Sequence, residues 1–164
     1  MIFNKVKWHV ICMVRKPMLK LFNNKHLIFG GGVQFRSRFN VISENGGLIT
    51  IGKNCFFNND CSLTCRNKIQ IGEGTIFGEN VKIYDHNHRF RNSNMPIKEQ
   101  GYSEGEVLIG SHCWIGSNVV ILKGTIIGDN CVIGAGCVVS GNVPNDTIMK
   151  VDCGCYIFEK IKHE

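Results

Sequence analysis

Aliphatic residues recur every six positions along this chain, and that recurrence limits its fold more than any other feature. Stepping from Ile109 gives Ile115, Ile121, Ile127, Ile133 and Val139, all β-branched. Gly110, Gly116, Gly128 and Gly134 follow four of these. Four positions on from each aliphatic stand Cys113, Val119, Thr125, Cys131, Cys137 and Val143, all small or branched. Earlier runs keep the pattern: Ile51, Phe57 and Leu63 with Cys55 and Cys61, then Ile71, Phe77 and Ile83 with Thr75 and Val81. A two-residue insertion near "CRNK" separates those two runs, and Val33 and Phe39 fit a weaker version upstream. A period of six is neither helical nor a simple strand alternation. It suits a strand of about four residues and a corner of about two, with the first and fifth positions facing one interior. Glycine after the large aliphatic suits a corner that needs positive φ or close approach. Three hexads close one triangular coil of about 18 residues, and stacked coils pair at about 4.8 Å. The two clear blocks make about four coils, and the upstream hexads add about one.

The repeat predicts an all-β, single-domain protein: a parallel β-helix over 31–144, a basic N-terminal segment 1–30 and a tail 145–164. A length of 164 residues, 43% of them hydrophobic and 20% charged, agrees with one soluble globular domain. The repeat also explains most of the nine cysteines. Cys55, Cys61, Cys113, Cys131 and Cys137 take the small interior position, where a thiol acts as a small apolar group. No CxxC of the zinc type is present.

Charge is concentrated at the start. Lys5, Lys7, Arg15, Lys16, Lys20, Lys25, Arg36 and Arg38 precede the first acid, Glu44. The remainder is slightly acidic, because the whole chain carries only +6. The segment, expected to be helical, suits an anionic membrane surface through residues 1–25, a partner subunit, or solvent. Its aromatics form no base-stacking platform, so nucleic acid is not an expected partner. The longest early apolar run, "WHVICMV", is far short of the roughly 20 residues that span a bilayer, and no signal-peptide cleavage site follows it. The expected location is cytoplasmic, at the inner face of the membrane if the basic segment binds there.

The hexads stop between Ile83 and Ile109. The interval, 84–108, is polar and begins "YDHNHRF", with His86 and His88 close together. An extruded loop on a rigid scaffold is a common place for function. Three readings are open. The loop is merely solvated; or the HxH pair binds a metal with His112 or Asp85; or one imidazole is a general base, since histidine accepts a proton near neutral pH.

The hexad phase resembles that of the hexapeptide-repeat acyltransferases, whose β-helix is left-handed. The surroundings of the loop resemble the sugar and polysaccharide O-acetyltransferase branch, which includes the maltose and galactoside acetyltransferases. There an aliphatic-Tyr pair precedes a short polar stretch ending in the catalytic histidine. Laid on "IYDHNH", the resemblance implies His88 as base; His86 beside it contacts acceptor, orients the loop or, in a shifted register, is itself the base, and Asp85 orients an imidazole or binds acceptor. "NCFFNND" implies acceptor contacts at Asn58 and Asp60. Residues 107–146 resemble the coils that bind coenzyme A, which implies Trp114 lining the pantetheine arm, Gly116 and Ser117 near the thioester end, and Gly134, Ala135 and Ser140 farther along toward the nucleotide. Gly141 stands where the family carries a basic residue near the coenzyme phosphates, and "VDCGCYIFEK" departs from the family tail. Lys150, Lys160 and Lys162 could restore that charge. The implied protein is an acetyl-CoA-dependent O-acetyltransferase and homotrimer, with no metal, acting on a sugar or surface-polysaccharide precursor. The alternatives are a non-catalytic scaffold, or an amine or antibiotic acceptor.

Overall fold

The computed structural model describes residues 2–152 and 155–160. Its body is a triangular solenoid of parallel strands. The first face stacks Leu27–Phe29, Leu48–Ile51, Lys68–Ile71, Glu106–Ile109, Ile126–Ile127 and Asn142–Val143. The second stacks Gln34–Phe35, Phe56–Phe57, Ile76–Phe77, Trp114–Ile115, Val132–Ile133 and Thr147–Asp152, then adds Cys155–Lys160 antiparallel. The third stacks Asn40–Ser43, Ser62–Cys65, Lys82–Tyr84, Val120–Ile121 and Val138–Val139. The first face thus counts six coils, one more than the repeat suggested, because a coil opens at Leu27 and the tail returns to the second face.

Register explains the hexads. Ile115 pairs with Phe77 below and Ile133 above, so interior residues stack in columns. Every first-position residue from Ile51 to Val139 named above is buried, as is every fifth-position residue. The lower axis is aromatic: Phe39 and Phe57 lie 4.7 Å apart, and Phe57 and Phe77 stack at 4.4 Å and 6°. Each buried phenylalanine contributes about 1.5–3 kcal/mol, and the stacking adds about 0.5–1.5 kcal/mol per pair.

The fifth position is not simply apolar. Cys55, Cys61, Cys113 and Cys131 donate to Gly72, Gly78, Gly128 and Pro144 carbonyls at 3.0–3.1 Å. Thr75 does the same to Gly110 at 2.8 Å. A weak donor there ties one coil's corner to the next. Burial pushes these thiols up, Cys61 and Cys113 to about 11.

The corner glycines answer to close approach. A Cβ on Gly110 would lie 2.5 Å from the Gly128 carbonyl carbon in the coil above. Positive φ is carried elsewhere, by Asn and Asp such as Asn54 and Asn118 as often as by other glycines.

Helix α1, Ile2–Asn23, lies across the first coil. Cys12 is buried there, its sulfur 3.2 Å from both the carbonyl oxygen and the N–H of Phe35. Arg15 donates to the Phe39 carbonyl at 2.9 Å, and Asn23 donates to that of Val41 at 3.1 Å. The opposite side of the helix exposes Val10, Met13, Val14, Met18, Leu21 and Phe22.

Candidate functional site

The break in the repeat is an arm with its own secondary structure. His86–His88 runs antiparallel to Tyr102–Glu104, so 85–105, rather than the whole expected interval 84–108, leaves the solenoid as a two-stranded hairpin. It departs from the third face after Tyr84 and rejoins the first face at Glu106. Residues two apart on a strand share a face, which puts His86 and His88 side by side. Tyr102 braces both: its ring centre is 4.5 Å from that of His88 and 5.3 Å, edge-on, from that of His86. Arg66 covers the same tyrosine at 3.9 Å. Its guanidinium also bonds Glu44 at 2.7 Å and Glu104 at 3.2 Å, tying the arm to the coil below.

The two histidines differ. His86 keeps 12% of its side chain exposed, and Nδ1 lies 2.9 Å from Asp85 Oδ1. His88 is exposed and lines a groove of about 620 Å³ under the arm, shared with Arg89, Phe90, Arg91, Met95 and Lys123. Lys123, from the coil above, donates to the Ser103 hydroxyl.

Asp85 lies against the imidazole of His86 and not in the groove. Its carboxylate is fully buried and cannot meet an acceptor. It accepts from the N–H of Asn67 at 2.7 Å, the N–H of Arg66 at 2.9 Å, and the Cys65 thiol at 3.1 Å, besides His86. Burial pushes its pKa upward. The bonds from His86, Asn67, Arg66 and Cys65 outweigh burial and hold the carboxyl below its ordinary value. Burial and the same carboxylate push the Cys65 thiol up.

The remaining expected residues sit on a different corner. Asn58 and Asp60 lie between the second and third faces, as do Gly116, Ser117, Gly134 and Ala135 in higher coils. Asn58 Oδ1 accepts from Arg36 at 3.1 Å, and Asp60 pairs with Arg38, with its second oxygen 2.6 Å from the guanidinium. The left-handed residue of that hexad is Asp60, at φ 65, rather than Asn58. Gly116 donates its N–H to Ile133 and Gly134 donates to Met149, both within the sheet. A Cβ on Gly116 would meet Ala135 N at 2.6 Å, so the fold alone demands that glycine. Trp114 stands 55% exposed on the second face. Ser140 is on the same kind of corner as the arm, and Gly141 beside it turns at φ 79. Lys150 projects from the strand above Gly134; the side chain of Lys160 and all of Lys162 lie outside what is described. Within one chain, then, the histidines occupy one corner and most of the other candidates another. His112 is on the third corner, between the first and second faces, and so is separated from His86 and His88. Among the described residues no group of three His, Cys, Asp or Glu is arranged to hold a metal ion.

Sequence reasoning missed Tyr102, Arg66, Ser103 and Lys123. The insertion at "CRNK" was the visible trace of Arg66, since the two extra residues turn toward the arm.

Residues 106–141 match the family of bacterial transferase hexapeptides (six repeats). The repeats are those of the bacterial hexapeptide transferases. The chain is 34% identical over 125 residues to WbbJ of Escherichia coli K12, provisionally named an O-acetyl transferase of lipopolysaccharide biosynthesis, covering 72% of this chain and 63% of WbbJ. It is 37% identical over 95 residues to the polysialic acid O-acetyltransferase of Neisseria meningitidis, covering 49% of this chain and 42% of that one. The chain therefore spans less than two thirds of the length of these curated relatives. Among solved structures, a maltose O-acetyltransferase from Clostridium difficile 630 superposes with a TM-score of 0.73 at 29% identity, over 97% of this chain and 88% of the other. A galactoside acetyltransferase in complex with coenzyme A superposes at 0.68 and 26% identity, over 90% and 70%. The solenoid is the left-handed β-helix of these hexapeptide-repeat proteins.

Proposed function

We propose that this hexapeptide-repeat protein is an acetyl-CoA-dependent O-acetyltransferase acting on a sugar or surface-polysaccharide precursor. The observation that carries the reading is the pair of imidazoles on one face of the arm, with His88 opening on the groove. The named activities of the similar proteins, and the coenzyme A bound to the galactoside acetyltransferase, support it.

In this reading His88 takes the proton of a sugar hydroxyl. The oxygen attacks the thioester carbonyl, and the tetrahedral intermediate collapses with the C–S bond broken. The thiolate leaves and recovers the proton from the imidazolium. His86, clamped to Asp85, fixes the strand that carries His88. The coenzyme arm lies along Trp114, Ser117, Ala135 and Ser140, with Lys150 toward its phosphates. Gly116 supplies no free N–H for the oxyanion, because its donor is spent on Ile133. Asn58 and Asp60 line the acceptor side. Trp114, Ser117, Ala135, Asn58 and Asp60 meet His88 in a homotrimer, where the arm corner of one subunit, which also carries Ser140, faces the other corner of its neighbour. Light scattering at trimer mass supports that assembly, and a monodisperse monomer refutes it.

The test is thiol release from acetyl-CoA over a panel of sugars. Loss of a positioned base costs about 10²–10⁴-fold in rate, so His88→Ala should fall by that factor. If His88→Ala turns over normally and His86→Ala does not, the base is His86.

Helix α1 also supports peripheral membrane contact. Its outward face is apolar and is flanked by Lys16 and Lys20. No helix among the described residues is long and apolar enough to cross a membrane. Flotation with anionic vesicles tests the contact. Leu21→Glu with Phe22→Glu should release the protein, whereas equal flotation of both forms removes the idea. Deleting 1–25 is a poor probe, since Cys12, Leu19 and Asn23 cover the first coil.

A further inference from the structure

The groove beside His88 has a chemical bias that the catalytic reading does not use. Arg89, Arg91 and Lys123 all line it, and among its described lining residues none is an acid. Three cations elsewhere are held by acids: Arg38 pairs with Asp60, Arg66 with Glu44 and Glu104, and Lys68 with Glu106. The three groove cations have no carboxylate partner among the described residues, and Lys123 donates only to the neutral Ser103 hydroxyl. Like charges gathered in a concave wall repel one another and focus a positive potential into the cleft. Guanidinium groups match carboxylate and phosphoryl oxygens in two-point fashion. Phe90 adds an apolar surface, 69% exposed, suited to a sugar face.

We propose that the acceptor carries an anionic group, a carboxylate or a phosphoryl, near the hydroxyl served by His88, and that Arg89, Arg91 and Lys123 bind it. The acceptor class is therefore an acidic or phosphorylated glycan. This rests on the acetyl-transfer reading for the position of the reacting hydroxyl, though the anion site itself does not depend on turnover.

The test is calorimetry on the full chain with glucuronic acid, glucose 1-phosphate and glucose, without acetyl-CoA. At least one acidic sugar should bind about tenfold or more tightly than glucose, as one charge-assisted contact predicts. The first two probes separate carboxylate from phosphoryl recognition. The double variant Arg89→Gln, Arg91→Gln, with an unchanged circular dichroism spectrum, should lose that advantage and keep its affinity for coenzyme A. Equal binding of glucose, no binding of any of the three, or undiminished acidic-sugar binding by the variant overturns the proposal. So does a tenfold loss of coenzyme A affinity in the variant, which would give the cations to the coenzyme phosphates. Thiol release is measured separately. A protein that binds acidic sugars and releases no thiol refutes the catalytic reading alone.

Discussion

Replacing Asp85 by Asn separates structural from orienting roles at the base of the arm. The carboxylate receives four donors in a site with no solvent exposure. Asn67 N–H and the Cys65 thiol converge on Oδ2, Arg66 N–H is shared between both oxygens, and His86 faces Oδ1. An amide keeps one oxygen, which belongs on the Oδ2 side where the backbone donors meet. Its NH₂ then points at His86 Nδ1, which must become an acceptor and carry its proton on Nε2. Hydrogen bonds to a charged group contribute about 1.5–3 kcal/mol and neutral ones about 0.5–1.5 kcal/mol. Weakening two or three bonds by that difference costs about 2–3 kcal/mol. Asp85→Ala leaves the donors stranded and costs about 3–5 kcal/mol. Urea unfolding measures both, and imidazole ¹⁵N shifts report the His86 tautomer. A loss below about 0.5 kcal/mol for Asn, where bonds to a charge should be worth more, refutes the reasoning. So does an unchanged tautomer. The pH dependence adds a check. The folded pKa is depressed, so the stability is present above the unfolded value and is lost as pH falls through the folded one. The gap between wild type and Asp85→Asn should therefore close below about pH 4.

Phe57→Ala removes the ring held between Phe39 and Phe77 and should cost about 3–5 kcal/mol in urea unfolding. Gly110→Ala, aimed at the Gly128 backbone, should lower the melting temperature well beyond Gly31→Ala, where a Cβ meets nothing within 4 Å; equal melting temperatures would contradict the close-packed corner. Cys61 and Cys113 should resist alkylation in the native protein up to about pH 10, because burial pushes both thiols to about 11; peptide mass spectrometry after iodoacetamide treatment at about pH 8, near the ordinary thiol pKa, shows whether they do.

The solenoid was legible because its rule is local and repeated. Each hexad places one large and one small residue inward, so Ile109 through Val139 announce both the period and the core. The first coil was under-read because helix α1 ends only just before Leu27 and the hexads there are weak. The arm was legible as an interruption but not as a hairpin, since "HNH" and "YSE" have no strand pattern and pair only because the solenoid anchors both ends. The burial of Asp85 was not legible for a related reason. A charged residue after Tyr84 reads as exposed, and nothing local shows that the turn at Arg66 and Asn67 aims two N–H groups inward at it. Arg66, Tyr102 and Lys123 come together across coils, at sequence separations a single chain does not advertise. In the proposed trimer the partners of Asn58 and Trp114 are farther still, across a surface that one chain leaves open.

Added chain covers part of each end of the solenoid, which bears on how such molecules coexist. An open coil presents a row of unused N–H and C=O groups that would template another coil. Helix α1 occupies that row at one end with Cys12, Arg15 and Asn23. At the other, Cys155–Lys160 reverses direction against Thr147–Asp152 and covers the last parallel strand of the second face. End-to-end pairing of copies is therefore obstructed at the first coil and at the last coil's second face.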